Sequence, residues 1–363
     1  MSVIRSVFAG FYAGWVWERR VSALRPLLVF VLGWFGLGLV VLGAFVIVLN
    51  VLNHTLYGAP VFVQRYLSAI ASDNITEAMS TPGVDIDATT LTSRGINGPV
   101  SRAMLRTGVL NTGPKKVTIT TDTTHPDGRH SITATYTLAG TSHTTTFDVV
   151  PLDPLYGLIN RWKFATSPLT VLDVTTNNTP FFTAGHLTLD ARANKPDTLR
   201  AAFSQQTPYL TLAPAAYLLS YTSPLLTIPA VTTTTTPNHV TPVELVAQPT
   251  HDFIQRVQTK LDQFLTTCTQ QQVLMPTQCP FGTQINDRII GTPRWTITST
   301  PQVTLTPGTD SFIMPPTTGI ARISVDVQSL YDGTKKHLIK NHPFTIGLNA
   351  QIQPNNTITI QLQ

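Results

Sequence analysis

The chain has 363 residues, enough for about two or three domains of ordinary size. Charged residues make up 12% and hydrophobic residues 42%, so a sizeable core can form and wholesale disorder is excluded. The net charge of +5 comes largely from one end: residues 1–26 hold four basic residues and one acid, leaving 20 against 18 for the rest. With no basic stripe, no nucleic-acid partner is expected.

The first 26 residues carry Arg5, Arg19, Arg20 and Arg25 against Glu18, with Tyr12, Trp15 and Trp17 close by. Residues 27–49 then read "LLVFVLGWFGLGLVVLGAFVIVL", without charge or proline. About 20 apolar residues in a helix span the ~30 Å hydrocarbon layer. The run exceeds the ~7–15 apolar residues of a cleaved signal peptide, and no small-x-small cleavage site follows it. Residues 27–50 are therefore expected to cross the plasma membrane once. The arginines place residues 1–26 in the cytoplasm and everything after the helix outside, and the aromatic rings suit the headgroup layer.

After a spacer, "NVLNHTLYGAP", the segment "PVFVQRYLSAIASDNITEAMS" has helical spacing, with Phe62, Tyr66, Ala69 and Ile70 on one face. Asn74 and Glu77 form a capping pair for a second helical turn. "TPGVDIDATTLTSRGINGP" reads as loop. "KKVTITTDT", "RHSITATYTL", "TTTFDVV" and "GLINRWKFAT" read as four strands, the first two joined by the turn "HPDGR". Residues 58–168 thus form a helix-then-meander unit.

Residues 169–247 lack a helical period. "LTVLDV", "FFTAGHLTLDA", "YLTLAP", "AYLLSYTS" and "PAVTTTTT" read as short strands of a small all-β sandwich. Threonine is stiff at χ1 and fits a strand, so the threonine run is assigned to a terminal strand leading into a short linker.

Residues 250–363 return to the first plan. "HDFIQRVQTKLDQFLTTC" aligns Phe253, Ile254, Val257, Leu261, Phe264, Leu265 and Cys268 on one stripe. "RWTITST", "QVTLTP", "IARISVDVQSL", "HPFTIGLNAQI" and "TITIQL" follow as strands, with Asp332-Gly333 as a turn. The two units open with similar tetrapeptides, "FVQR" at 62–65 and "FIQR" at 253–256, a sign of one fold used twice.

Cys268 and Cys279 are the only cysteines. Outside the membrane two thiols close in sequence pair, and without a nearby histidine cluster they make poor zinc ligands. A disulfide between the end of the helix and the loop after it is expected. That loop otherwise holds "QQQVLMPTQ" and little to anchor it.

Three further groups are candidates for chemistry. Asp85 and Asp87 in "VDIDA" are a carboxylate pair without a further ligand, which fits a solvated loop better than a metal site. His125, Asp127 and His130 in "HPDGRH" lie across a turn, read as an exposed hairpin tip. Trp162 and Trp295, beside Arg161 and Arg294, are read as core rings with snorkelling arginines rather than pocket walls. No GxSxG, HExxH or GxxxxGK[ST] motif occurs, and no catalytic, cofactor or metal residue is assigned.

The segment "FVQRYLSAIASDNITEAM" and the closing strand "RWKF" resemble the opening helix–break–helix and the sheet of the nuclear-transport-factor-like cone fold. "CPFGTQINDRIIGTPRWTITSTPQVTL" looks like uncharacterised membrane-anchored proteins of actinobacteria. The order membrane helix, cone, β-domain, cone is similar to that of teicoplanin-resistance-associated membrane proteins of Gram-positive bacteria. "YLTLAPAAYLLSY" resembles a strand around a Pro-Gly turn in their middle domain, with the glycine absent here. The resemblance implies an α+β architecture: a transmembrane helix and two nuclear-transport-factor-like domains, 58–168 and 250–363, flanking the sandwich. It also implies a cell-envelope accessory protein and carries over no catalytic residue. The expected function is partner binding outside the membrane, to an envelope protein, a peptide or a wall polymer. An exported enzyme using the open end of a cone is the alternative, and converging ionisable groups there would mark it.

Overall fold

A computed structural model describes residues 7–193, 203–353 and 355–363, with side chains from residue 29 onward. Arg5 lies outside the described residues, and so do the side chains of Tyr12, Trp15, Trp17, Arg19, Arg20 and Arg25. The architecture is mixed α+β, with one N-terminal apolar helix and a body made mostly of β-sheet.

Helix α1 spans Val7–Thr55. Its segment Val29–Thr55 has a mean hydropathy of 2.6, and the most apolar window of that segment is 0% buried. It is the one helix among the described residues long and apolar enough to cross a membrane. Part of the expected spacer proves helical. Nothing before Gly58 breaks the hydrogen-bond ladder, and Leu56 N still donates to Leu52 O at 2.9 Å. At Gly58 the chain turns into α2 (Ala59–Ala71), and a Cβ there would stand 2.8 Å from His54 O.

Helix α2 buries Val63, Tyr66, Leu67, Ala69 and Ile70, the face given by its 3.6-residue period. Helix α3 (Ile75–Ser80) starts at Asn74, whose side chain accepts from Glu77 N at 3.2 Å. The expected loop at 81–99 contains a further short helix, α4 (Ala88–Ser93), capped by Asp87. Six residues with no buried side chain give no hydrophobic period, so only the cap could have signalled it.

Strands β1 (Lys115–Thr124), β2 (His130–Leu138), β3 (Thr141–Leu155) and β4 (Ile159–Phe164) form an antiparallel sheet in chain order. Helix α2 packs on it through aromatic rings: Phe62 on Phe164 at 5.0 Å, and Tyr66 on Phe164 and Phe147 at 5.1 and 6.4 Å. Beyond Val149, β3 pairs only with β4. Pro151 and Pro154 are tolerated there because one side of the strand needs no ladder donor. The β3–β4 hairpin therefore runs on past the body of the sheet.

The middle region holds two sheets. One is β5 (Thr170–Asn177) between β8 (Ser204–Thr211) and β11 (Thr241–Val246). The other contains β6 (Phe181–Ala184), β7 (Leu187–Asp190), β9 (Ala215–Thr222), β10 (Leu226–Thr235) and β12 (Gln248–Pro249). They pack through Phe182 of β6 against Tyr209 of β8, ring centroids 5.4 Å apart. The threonine run is strand, within β10, as its branched side chains favour. The chain then makes one further strand, β11, parallel to β5, where a linker was expected.

The third region opens with α5 (His251–Thr269), capped by Thr250, whose hydroxyl accepts from Phe253 N at 3.2 Å. Its sheet comprises β13 (Arg288–Ile289), β14 (Arg294–Ser299), β15 (Thr306–Pro307), β16 (Phe312–Gln328), β17 (Lys335–Ile352) and β18 (Ile358–Leu362), and it curls into a half-barrel. In β16, Ile323, Val325 and Val327 are buried, as the alternation requires. "QVTLTP" is a strand only at its last two residues. Val303 and Leu305 are buried, but Val303 N donates to Gln258 Oε1 of α5 at 2.9 Å instead of to a ladder.

One contiguous hydrophobic core joins all three regions. Tyr66 of α2 donates its hydroxyl to Ala213 O at 2.9 Å, and burial pushes the phenol well above its usual pKa. Arg94 donates to Leu169 O and to Asn238 Oδ1, both at 2.7 Å. Ser101 and Thr112 pair by backbone with Tyr209 and Ala216. Leu261 of α5 is fully buried in this core. Leu261→Ala is expected to lower unfolding free energy by about 2–5 kcal/mol, measured by urea titration of the detergent-solubilised chain.

Candidate functional site

The cysteines stand at disulfide distance, Sγ–Sγ 2.05 Å and Cα–Cα 5.8 Å, tying the last turn of α5 to the loop after it. That loop has more anchors than its sequence suggested. Gln271 Oε1 accepts from Thr277 N at 2.7 Å, Trp295 Nε1 donates to Val273 O at 2.9 Å, and Phe281 is buried against Trp295 and Phe344. Trp295 is a core ring, 4% exposed. Trp162 is half-buried, and its Nε1 donates to Tyr57 O at 2.8 Å, just past the end of α1.

The carboxylates of "VDIDA" are turned to separate structural tasks. Asp85 pairs with Arg102 at 2.6 Å. Asp87 caps α4, and hydrogen bonds from Thr90 and Thr89 hold it below its usual pKa. In "HPDGRH", His125 Nε2 contacts Ser131 Oγ at 2.8 Å and His130 Nδ1 lies 2.7 Å from Asp122. Asp127 accepts from Arg129 N, which lowers its pKa. Among the described residues no three His, Cys, Asp or Glu side chains converge on a common point.

In both helix-plus-sheet units the helix meets the sheet through buried apolar side chains. They are Tyr66, Ile70, Ile132, Phe147 and Phe164 in the first unit, and Phe253, Val257, Leu261, Met314, Ile323 and Leu348 in the second. Among the described residues, the buried polar side chains are Ser, Thr, Asn and Gln, together with the tyrosines; no acid, lysine, arginine or histidine is buried.

A crevice of about 490 Å³ opens elsewhere, between the middle sheets and the half-barrel, within the ~300–1,000 Å³ usual for binding sites. The pairing of β6 with β7 sets Phe181 opposite Asp190. The chain then turns tightly: Arg192 N donates to Asp190 Oδ1 at 2.9 Å, and the guanidinium forks onto both oxygens, Nε–Oδ1 and Nη2–Oδ2 each 2.9 Å. This bidentate geometry fixes the plane of the cation, and the hydrogen bonds to Asp190 raise its pKa. The guanidinium carbon lies 5.1 Å above the Phe181 ring, and Phe181 stacks on Tyr221 of β9 at 6.2 Å. Each layer holds the next, so the arginine is preorganised.

The opposite wall comes from the half-barrel: Asp310 before β16, and Gln351, Ile352, Gln353 and Asn356 around the β17–β18 turn. The floor is Phe312, in edge contact with Phe203 at 5.5 Å and Phe253 at 5.3 Å. Ser223, the hydroxyl on the rim, is engaged in a turn with Leu226 N and O. An aromatic floor, one fixed cation and a row of amides suit an extended amide-bearing or carboxylate-bearing ligand.

None of these crevice residues was singled out from sequence. They lie far apart along the chain, and only the short "LDAR" turn after β7 carries a local signal, an aspartate hydrogen-bonding two residues on. The chain is expected to show no free thiol before reduction, and Cys268→Ser with Cys279→Ser to lose about 3 kcal/mol of stability, read by thiol titration and denaturation. The chain matches no family model, and no match to it was found among curated proteins or solved structures.

Proposed function

We propose that the chain is a single-pass envelope protein whose exported body binds a partner in the crevice walled by Phe181, Arg192 and Gln351. The observation that carries this reading is the apolar segment Val29–Thr55, whose most apolar window has no protein packed against it and which leads straight into a folded body. The arginine-rich flank supports a cytoplasmic N-terminus, and the cysteine pair at disulfide distance suits an oxidising compartment. Both helix-plus-sheet units are read as nuclear-transport-factor-like, in a layout similar to that of teicoplanin-resistance-associated membrane proteins. A helix followed by an antiparallel sheet, in both units, supports that reading.

Binding is favoured over catalysis by the apolar side chains through which helix and sheet meet in both units and by the engagement of Ser223 in a turn. The partner expected is a peptide, a wall polymer or an envelope protein presenting carboxylate and amide groups to Arg192 and to the Gln351–Asn356 rim. With a photo-crosslinking amino acid at Gln351 of the full chain in its own cells, a discrete adduct is expected. Arg192→Ala or Phe181→Ala should cut its yield about tenfold, the effect of losing ~1.4 kcal/mol of affinity, with the chain still folded by circular dichroism. An adduct undiminished by both substitutions, or none at Gln351, would remove the crevice from the account.

A further inference from the structure

The β3–β4 hairpin ends in a tip of unusual composition: Leu155, Tyr156, Gly157 and Leu158. Tyr156 is 87% exposed, Leu155 44% and Leu158 46%. The chain reverses at Tyr156 and Gly157, both at positive φ (53° and 71°). Glycine and asparagine adopt that conformation most readily, whereas a tyrosine there costs about 1–2 kcal/mol. A strained, exposed aromatic flanked by two exposed leucines is poor design for a tip standing in water.

The tip's position explains it. Asn53 of α1 donates through Nδ2 to Leu158 O at 2.8 Å and accepts from Asn160 N at 3.1 Å. Farther along β4, Trp162 bonds Tyr57 O. Passing from Trp162 to Leu158 therefore means passing from Tyr57 back to Asn53, so β4 is followed from its base to its tip in the direction of the apolar segment. Asn53 stands four residues beyond the uncharged run 27–49, about 6 Å of helix. Leu155 pairs with Ile159, so Tyr156 lies across the turn from Leu158 and at about its level, which sets the whole tip about one helical turn from the end of that run.

We propose that the Leu155–Leu158 tip is a second membrane contact, a foot that enters the headgroup–acyl boundary of the bilayer that α1 crosses. The occupant is a lipid surface because the tip is continuous with the spanning segment through Asn53. The inference rests on the anchor reading above. Tyrosine suits that boundary, with its ring among acyl chains and its hydroxyl in the headgroups. The exposed charges of the hairpin near the tip are Asp153 and Arg161, one of each sign. The foot is therefore apolar, and uncharged phosphatidylcholine is enough for it. With one tether and one foot, the body is held in a fixed orientation rather than swinging about α1.

The test uses the full chain, its cysteine pair intact, in phosphatidylcholine nanodiscs. Nitroxide labels are placed one at a time at Val40→Cys, Tyr156→Cys, Leu158→Cys and Thr141→Cys, and depth is read from accessibility to oxygen against a water-soluble nickel complex. Thr141 starts β3, about 46 Å of strand from the tip, and is exposed. The expected order is Val40 in the acyl core, Tyr156 and Leu158 at the boundary, and Thr141 in water. The oxygen-to-nickel accessibility ratio should be several-fold higher at both tip sites than at Thr141. Tip labels as water-accessible as Thr141, with Val40 buried, would overturn the foot and leave the anchor standing. A water-accessible label at Val40 would overturn the anchor reading, and the foot with it.

Discussion

The constraint on which the structure depends is an apolar helix that the folded body does not cover. Sixteen large apolar side chains between Val29 and Val51 stand 50–70% exposed. At ~1.5–3 kcal/mol for burying each such side chain, leaving them in water forgoes tens of kcal/mol, more than the 5–15 kcal/mol that typically stabilises a whole domain. A lipid phase removes the conflict. The helix satisfies its own backbone groups, the requirement for crossing hydrocarbon.

The body is not hung from this helix by a loose tether. Helix α1 runs to Thr55, turns at Gly58 into α2, and is bonded through Asn53 and Tyr57 to the β3–β4 hairpin. Helix α2 is in turn fixed to the middle sheets by the buried Tyr66 hydroxyl on Ala213 O. The half-barrel is joined to the middle sheets through Phe203 on Phe312 and through Thr250, whose hydroxyl donates to Pro224 O. A single core runs from α2 to β18. The crevice at Arg192 lies where two of its regions meet, so the packing that stabilises the body also shapes the candidate site.

What the sequence made legible was local. The stripes of α2 and α5, the alternation in β2 and β16, and the Asn74 cap are repeats or pairings within a few residues, and the structure has each where the pattern put it. Helix α4 escaped because six residues, none of them buried, have no hydrophobic period. At 302–307 a strand was expected, but Val303 and Leu305 are buried outside any ladder, since the backbone partner of Val303 N is Gln258 of another element. Strand β11 looked like the end of a linker because its pairing partner, β5, lies some 70 residues earlier and nothing local announces a parallel ladder. Phe181, Arg192, Tyr221 and Phe312 form a site only once two sheets are packed, and no short motif encodes that. Composition could not tell whether helix and sheet meet through apolar or ionisable groups; in both units they meet through apolar side chains.

The central claim is that α1 carries the β-rich body across the membrane. The most direct measurement is labelling of intact cells with a membrane-impermeant maleimide, using chains with one added thiol at Ser6→Cys or at Tyr331→Cys; Tyr331 is 99% exposed on the half-barrel. The account predicts that the thiol at position 331 reacts in intact cells and the thiol at position 6 only after lysis. Protection of position 331 until the cells are broken would contradict it.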